Sequence, residues 1–207
     1  MTGPGPEQVS ARLGATARSW FHRALAEASP ATGTGPGPGT PGPTPAWQHR
    51  FASAGRACGA EFALDVRLAL LVRARPSPAT LARLYRHGAR GERQAVLTAL
   101  PLLAPPPDTG LLLVEDALRT NDTDLLAAAL GEYAAAHLAP HLWRHAVLKC
   151  LFHETPVTVV AGLRRRARGD SELGRMLSAY AEERVAAGRP LPPDLTFVLA
   201  LTLLPKE

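Results

Sequence analysis

The chain has 207 residues, of which 46% are apolar and 20% charged, and its formal net charge at pH 7 is +5. This length and apolar content are sufficient for one substantial domain, or two small ones, with a buried core. No window approaches the roughly 18 consecutive apolar residues of a membrane span. The N-terminus also lacks the basic and apolar segments of a signal peptide, so the sequence predicts a cytoplasmic protein.

Residues 1–28 form the first predicted element, an amphipathic helix. Its apolar residues fall close to helical spacing, so we expect the helix to dock on the rest of the protein by an apolar stripe. These residues are Val9, Leu13, Trp20, Phe21 and Leu25. Residues 29–46 follow as a predicted flexible linker, because eleven of the sixteen residues at 30–45 are Pro or Gly.

Residues 47–207 are predicted to form one all-α domain, because apolar positions recur every three or four residues and β-branched runs are nearly absent. Residues such as Ser77, Pro78 and Gly188 mark helix boundaries. The predicted helices are 47–74, 78–87, 90–103, 108–119, 122–137, 141–153, 157–168, 171–187 and 193–204. Their lengths and short links predict antiparallel helix pairs stacked as a small HEAT-like helical repeat.

The segment WRHAVLKCLFHE, residues 143–154, combines a broad apolar helix face with a polar row of His145, Lys149 and His153. His141 and His145 have the spacing of a metal-binding pair, but the glutamate of an HExxH motif is missing, and we predict no metal site. Cys58 and Cys150 are the only cysteines. They are too few for a disulfide framework, and we predict that both are buried apolar residues.

Lys149 is informative because Lys206 is the only other lysine and arginine supplies the remaining positive charge. Its ammonium group can lie partly buried and contact a ligand. Alternatively, its methylene chain packs on the helix while the ammonium group reaches water or pairs with Glu154 or Glu183.

Three further polar segments have both a structural and a functional interpretation. GLRRRARGD, residues 162–170, is either a solvated surface or a site for phosphate or nucleic acid. EDALRTNDTDLL, residues 115–126, predicts a turn in which Asn121 or Asp122 caps the next helix and Arg119 binds the last carbonyls of the preceding one. In residues 178–190, Tyr180, Glu183 and Arg184 support either a pocket or an exposed ion-pair face.

No nucleotide-binding fingerprint or common catalytic motif occurs in the chain, and no cofactor is predicted. Six segments, in matching order and spacing across residues 78–195, resemble the EboA family of metabolite-traffic proteins. The segments are DALRTND (116–122), GEYAAAHL (131–138), WRHAVLKCLF (143–152), GLRRRA (162–167), LGRML (173–177) and YAEERVAAGR (180–189).

This resemblance implies a cytoplasmic helical protein encoded beside a prenyltransferase-like membrane protein and TIM-barrel enzymes, in clusters for secondary-metabolite production or export. Many members have W-N-Q before the VLK segment, an aspartate after GL, and YAHER in the penultimate helix. The equivalent positions here hold Arg144 and His145, then Arg164, and then Glu182. The matched candidates are Lys149, Tyr180, Glu183 and Arg184.

The expected function is therefore that of a helper in secondary metabolism, which binds a small apolar or prenylated metabolite, pathway partner proteins, or both. Lys149 and His145 would contact a polar or anionic end of the ligand, while Tyr180, Glu183 and Arg184 would form the rim of the groove. An isomerase or cyclase that uses His145, Lys149 or Glu183 for acid–base catalysis is the alternative. A nucleic-acid binder is a third hypothesis, although 18 acidic residues are interspersed with 23 basic ones.

Overall fold

The computed structural model describes residues 5–29 and 44–206. In these two ranges the chain forms thirteen α-helices and two short 3-10 turns, with no strand, which confirms the predicted all-α class. Most of the predicted linker, residues 30–43, lies outside the described residues. None of the helices in the described ranges has the length and hydrophobicity of a membrane span.

The chain divides into two compact units, Met1–Leu113 and Val114–Glu207, with the boundary inside the seventh helix. The helices of the first unit are α1 (Pro6–Arg12), α2 (Ala15–Glu27), α3 (Ala46–Cys58), α4 (Ala63–Ala74), α5 (Pro78–His87) and α6 (Arg90–Leu103). The seventh helix, α7, spans Pro107–Arg119. The second unit continues with α8 (Thr123–Ala129), α9 (Glu132–His137), α10 (Pro140–Phe152), α11 (Leu163–Ala167), α12 (Ser171–Ala186) and α13 (Pro193–Thr202).

Helix α4 lies at the centre of the first unit, where it packs against α2, α3 and α6. Its residues Leu68–Leu71 are all buried, so this helix is apolar on most of its circumference. The N-terminal helices dock on α3 and α4, as their apolar positions predict, with Val9, Leu13 and Phe21 almost fully buried.

In the second unit, α8, α10, α12 and α13 all carry buried apolar side chains. The largest buried side chain of α10 is Trp143, which is 1% exposed, and α12 packs on α13. Consecutive helices also pair in the first unit, as α5 does with α6. Stacking of such pairs into a HEAT-like repeat stays a prediction, as does the division into segments 1–28, 29–46 and 47–207.

The structure confirms several helix ends that the sequence predicts. The Ser77 side chain accepts a hydrogen bond from the Thr80 amide, and Pro78 occupies the first turn of α5. Asp122, rather than Asn121, caps α8 by accepting from the amides of Asp124 and Leu125. Gly188 ends α12 with a positive φ of 65°, and the amides at 188 and 189 bond back to the carbonyls of Val185 and Arg184.

Four predicted helices were too long, because each contains a break near a glycine. The N-terminal helix breaks at Gly14, and the helix predicted at 47–74 breaks at Gly59, which has a φ of 96°. The helix predicted at 122–137 breaks before Gly131, the residue that precedes α9. In place of a helix at 157–168, a 3-10 turn at Val157–Val159 precedes Gly162 and the short α11. Apolar periodicity continues across such breaks and therefore hides them.

Replacement of Gly59 by alanine should destabilise the first unit by about 1–3 kcal/mol, because a side chain is strained at a φ of 96°. Its Cβ would also lie 2.7 Å from Glu61 Oε2. Gly55→Ala is the matched control. Gly55 lies within α3, just before the break, and a Cβ there meets Ala63 at an ordinary 3.6 Å. Urea denaturation should show a lower midpoint for the first variant and an unchanged or higher one for the second. Equal midpoints would contradict this account of the break.

Candidate functional site

Helix α10 carries most of the polar residues that the sequence singles out. Its predicted apolar face is confirmed, since Trp143, Val147 and Cys150 are buried together with Ala146 and Leu151. Cys58 is buried as well, which confirms the prediction for both cysteines. Burial, with a smaller effect from the charge of Asp194, raises the pKa of Cys150 to about 12. The Cys150 thiol is therefore protonated at neutral pH and has a packing role.

Two of the predicted residues, His145 and Lys149, line a small cleft of about 180 Å³, which we call the Lys149 cleft. His145 is exposed and Lys149 is half-buried. The third member of the polar row, His153, is exposed at the end of α10 and is not part of the cleft lining. The remaining lining residues are Glu115, Leu118, Arg119, Leu142 and Ala146.

The ammonium group of Lys149 is bound to the backbone. Lys149 Nζ donates a hydrogen bond of 2.7 Å to the carbonyl of Leu118, one of the last carbonyls of α7. These carbonyls have no partner within their own helix, and the partial negative charge of a helix C-terminus favours a cation. Lys149 therefore stabilises the end of α7, a role that was not considered from the sequence, and its contact with a ligand stays a prediction.

Arg119 was predicted to bind the last carbonyls of α7, and this prediction was wrong. Its side chain is 75% exposed and forms an ion pair with Glu115 at 3.9 Å. A cation from the sequence neighbourhood of the turn was the simplest candidate for this role. The cation that binds Leu118 comes instead from α10, 31 residues further along the chain.

Tyr180 and Arg184 lie one turn apart on α12, as predicted, but Tyr180 belongs to the core. It is 4% exposed, and its ring lies 4.5 Å from the ring of Phe152. Its buried hydroxyl has no hydrogen-bond partner among the described residues. Glu183 is exposed and does not line the Lys149 cleft.

Arg184 is half-buried and holds the link between α12 and α13. Its Nε and Nη2 atoms donate hydrogen bonds of 2.9 and 2.6 Å to the carbonyl of Pro190. The guanidinium also lies over the Tyr180 ring, 5.9 Å from its centre. The contact between Phe152 and Tyr180 brings the two segments at 143–152 and 180–189 together.

Beside Arg184 lies a larger cleft of about 530 Å³, which we call the Arg184 cleft. Leucine and proline side chains form most of its wall, and Leu191 is 43% exposed. Its lining residues are Cys150, Leu151, Glu154, Thr155, Pro156, Arg184, Pro190, Leu191, Pro192, Pro193 and Asp194. The sequence identified only Arg184 of this set as a ligand contact, because Pro192 and Pro193 were interpreted as a break between helices. Of the five predicted ligand-binding residues, His145 and Lys149 line the Lys149 cleft and Arg184 lines the Arg184 cleft.

The arginine cluster at 164–168 contains one residue with a clear structural role. Arg166 Nη2 donates to the carbonyl of Leu138 at 2.8 Å, and Nη1 donates to the carbonyls of Ala134 and Ala135. Its guanidinium stacks on Trp143 at 4.7 Å. Burial and the charges of Arg165 and Arg144 lower the pKa of Arg166, whereas Asp170 opposes this effect. Arg166 thus binds the C-terminal end of α9 from α11.

Arg144 also has a structural partner. Its Nε atom lies 2.9 Å from both carboxylate oxygens of Asp170. Asp170 in turn caps α12 by accepting from the Leu173 amide. This ion pair joins α10 to the start of α12, and no local pattern in the sequence indicates it. Across the described ranges, no group of three or more His, Cys, Asp or Glu residues has the arrangement of a metal site.

Residues 70–200 match the family model described as metabolite traffic protein EboA, which covers well over half of the chain. The chain belongs to the EboA family. No curated protein and no solved structure matches this EboA protein. The family match includes both clefts and the whole of α7 to α12.

Lys149→Met should lower the free energy of unfolding by about 1–3 kcal/mol, because it leaves the Leu118 carbonyl without its charged donor while keeping most of the apolar chain. His145→Ala is the control from the same cleft and should change stability by less than about 0.5 kcal/mol, since this side chain is exposed. Chemical denaturation followed by circular dichroism measures both. A Lys149→Met variant as stable as the wild type would contradict the role assigned to Lys149.

Arg166→Met should destabilise the protein by at least about 2 kcal/mol, because several carbonyl hydrogen bonds to a charged donor are lost. Arg165→Met removes the same charge from the exposed neighbouring position and should be close to neutral. Thermal unfolding of the two variants side by side tests this difference. Equal losses would show that the net charge of the cluster matters more than the contacts of Arg166.

Proposed function

We propose that this EboA protein binds a small, predominantly apolar metabolite in the Arg184 cleft and delivers it to other proteins of its pathway. The main support for the proposal is the Arg184 cleft, whose volume of about 530 Å³ is within the range of small-molecule sites. Apolar walls with a few polar groups are typical of such sites. The family description, metabolite traffic protein, agrees with this role.

The Arg184 cleft is favoured over the Lys149 cleft for two reasons. The Lys149 cleft, of about 180 Å³, has room for little more than the end of a metabolite. Its central cation is already hydrogen-bonded to Leu118, at the negative end of α7. Together these features make the Lys149 cleft a poor site for the anionic end of a ligand.

The metabolite of this proposal is a product or intermediate of secondary metabolism, such as a prenylated compound. The proteins to which this chain would deliver the metabolite are pathway enzymes or a prenyltransferase-like membrane protein. An apolar compound of this kind is poorly soluble in water, so a protein cleft that covers its apolar surface allows it to move between enzymes. Tyr180 supports the cleft indirectly, because its ring packs on Phe152 and beneath Arg184.

The structure offers less support for the two alternative functions. The acid–base hypothesis requires His145, Lys149 or Glu183 beside a substrate-sized cavity, yet Glu183 is exposed and lines neither cleft. The nucleic-acid hypothesis depends on accessible arginines in the 162–170 segment. In that segment Arg164 and Arg165 are exposed, whereas Arg166 is bound to the carbonyls that end α9 and serves the fold.

Leu191→Glu should weaken binding of a neutral apolar probe, N-phenyl-1-naphthylamine, by about tenfold or more, because it introduces a charge into the apolar wall. Leu203→Glu is the matched control, since Leu203 is 81% exposed and lies outside the cleft. Fluorescence titration of the full chain gives both affinities. Equal binding by the two variants, or no binding by the wild type, would refute the proposed site.

A deletion strain provides the corresponding test in cells. The wild-type gene and the Leu203→Glu variant should restore the normal distribution of the pathway metabolite, whereas Leu191→Glu should not. The compound that accumulates in the deletion strain then identifies the natural ligand. Full complementation by Leu191→Glu would refute a role for the cleft in metabolite traffic.

A further inference from the structure

We propose that Arg184 recognises a carboxylate, so that the metabolite bound in the Arg184 cleft is an amphiphile with a single acidic end. This inference rests on the proposed function and adds to it the chemical class of the ligand. It follows from the charges that line the cleft and from how each of them is compensated.

Arg184 supplies the positive charge in the lining of the Arg184 cleft, and no carboxylate of the described residues pairs with it. Both hydrogen bonds of its guanidinium go to one neutral acceptor, the carbonyl of Pro190. Among the described residues it has no carboxylate within ion-pair distance, whereas Arg144 of the same unit is paired with Asp170. A guanidinium has five donors in a planar fork that fits a carboxylate, so the Nη1 side of Arg184 has donors available for an acidic ligand.

The cleft lining also contains two carboxylates, Asp194 and Glu154, and their negative charges are stabilised without an ion pair to Arg184. Asp194 accepts a 2.9 Å hydrogen bond from the Val157 amide and lies in the first turn of α13, where the helix dipole favours a negative charge. Glu154 is exposed, so its charge is screened by solvent. Arg184 is therefore the group whose charge a ligand can best neutralise. The two acidic residues limit the favourable ligand to one negative charge.

A second polar group lies in the same wall. Thr155 is 7% exposed, and its hydroxyl has no hydrogen-bond partner among the described residues. It lines the cleft together with Arg184. A buried hydroxyl without a partner is energetically unfavourable, so a ligand oxygen that bonded to it after rotation of the Thr155 side chain would remove a cost of the free protein.

The test compares three probes with the same alkyl chain, decanoic acid, 1-decanol and decylamine, at pH 8 and below their aggregation limits. Each probe displaces N-phenyl-1-naphthylamine from the full chain. The wild type should bind the acid about tenfold more tightly than the alcohol, and the amine most weakly. Equal affinity for acid and alcohol, or preference for the amine, would overturn the inference while leaving the proposed function in place. Failure of all three probes and of the naphthylamine to bind would overturn both.

Variants of Arg184 then assign the preference to this residue. Arg184→Met should remove the preference for the acid and retain binding of the neutral naphthylamine, which reports that the cleft is intact. Arg184→Lys should keep part of the preference, because it restores the charge but not the planar fork. Arg189→Met is the control, since Arg189 is exposed on the same link and outside the cleft lining. An acid preference that survives in Arg184→Met, or that is lost in Arg189→Met, would overturn the inference.

Discussion

The carbonyl groups at the C-terminal ends of helices impose a constraint on which much of the second unit depends. These groups have no partner within their own helix, and a chain built of many short helices has many of them. Lys149 binds the end of α7, and Arg166 binds the end of α9. Each cation comes from a different helix, so these hydrogen bonds connect helices as well as completing them.

This use of cations changes how the conspicuous charged residues are interpreted. Lys149 and Arg166 both occur in segments that resemble EboA signatures, and both are bound to backbone carbonyls. Both residues therefore have a structural role in this chain. Arg184 also binds a carbonyl, but that of a link rather than a helix end, and it does so beside the larger cleft. Arg184 is therefore the cation to which the proposed function assigns the ligand.

Local signals in the sequence predicted much of the fold. Ser77, Asp122 and Gly188 act through neighbours within a few residues, and their roles as caps or terminators follow directly from the sequence. The breaks at Gly59 and Gly162 were missed because apolar spacing continues on both sides. A glycine can occupy either a helix or a turn, and only its φ in the fold distinguishes the two.

The candidate site was predictable only in part, for a related reason. The apolar face of α10 and the shared face of Tyr180 and Arg184 follow from helical periodicity. The Leu118 carbonyl that binds Lys149 is remote in sequence, and no local pattern indicates it. Leu191 was also missed, because a Pro-rich link resembles a simple helix breaker until the helices around it are in place.

The central claim is that the metabolite site of this EboA protein lies at Arg184 rather than at Lys149. Amide chemical shifts of the isotope-labelled full chain, recorded during titration with decanoic acid, test it most directly. If the site lies at Arg184, the largest changes will occur at Leu151, Thr155 and Leu191. Largest changes at Leu118, His145 and Lys149 would contradict it.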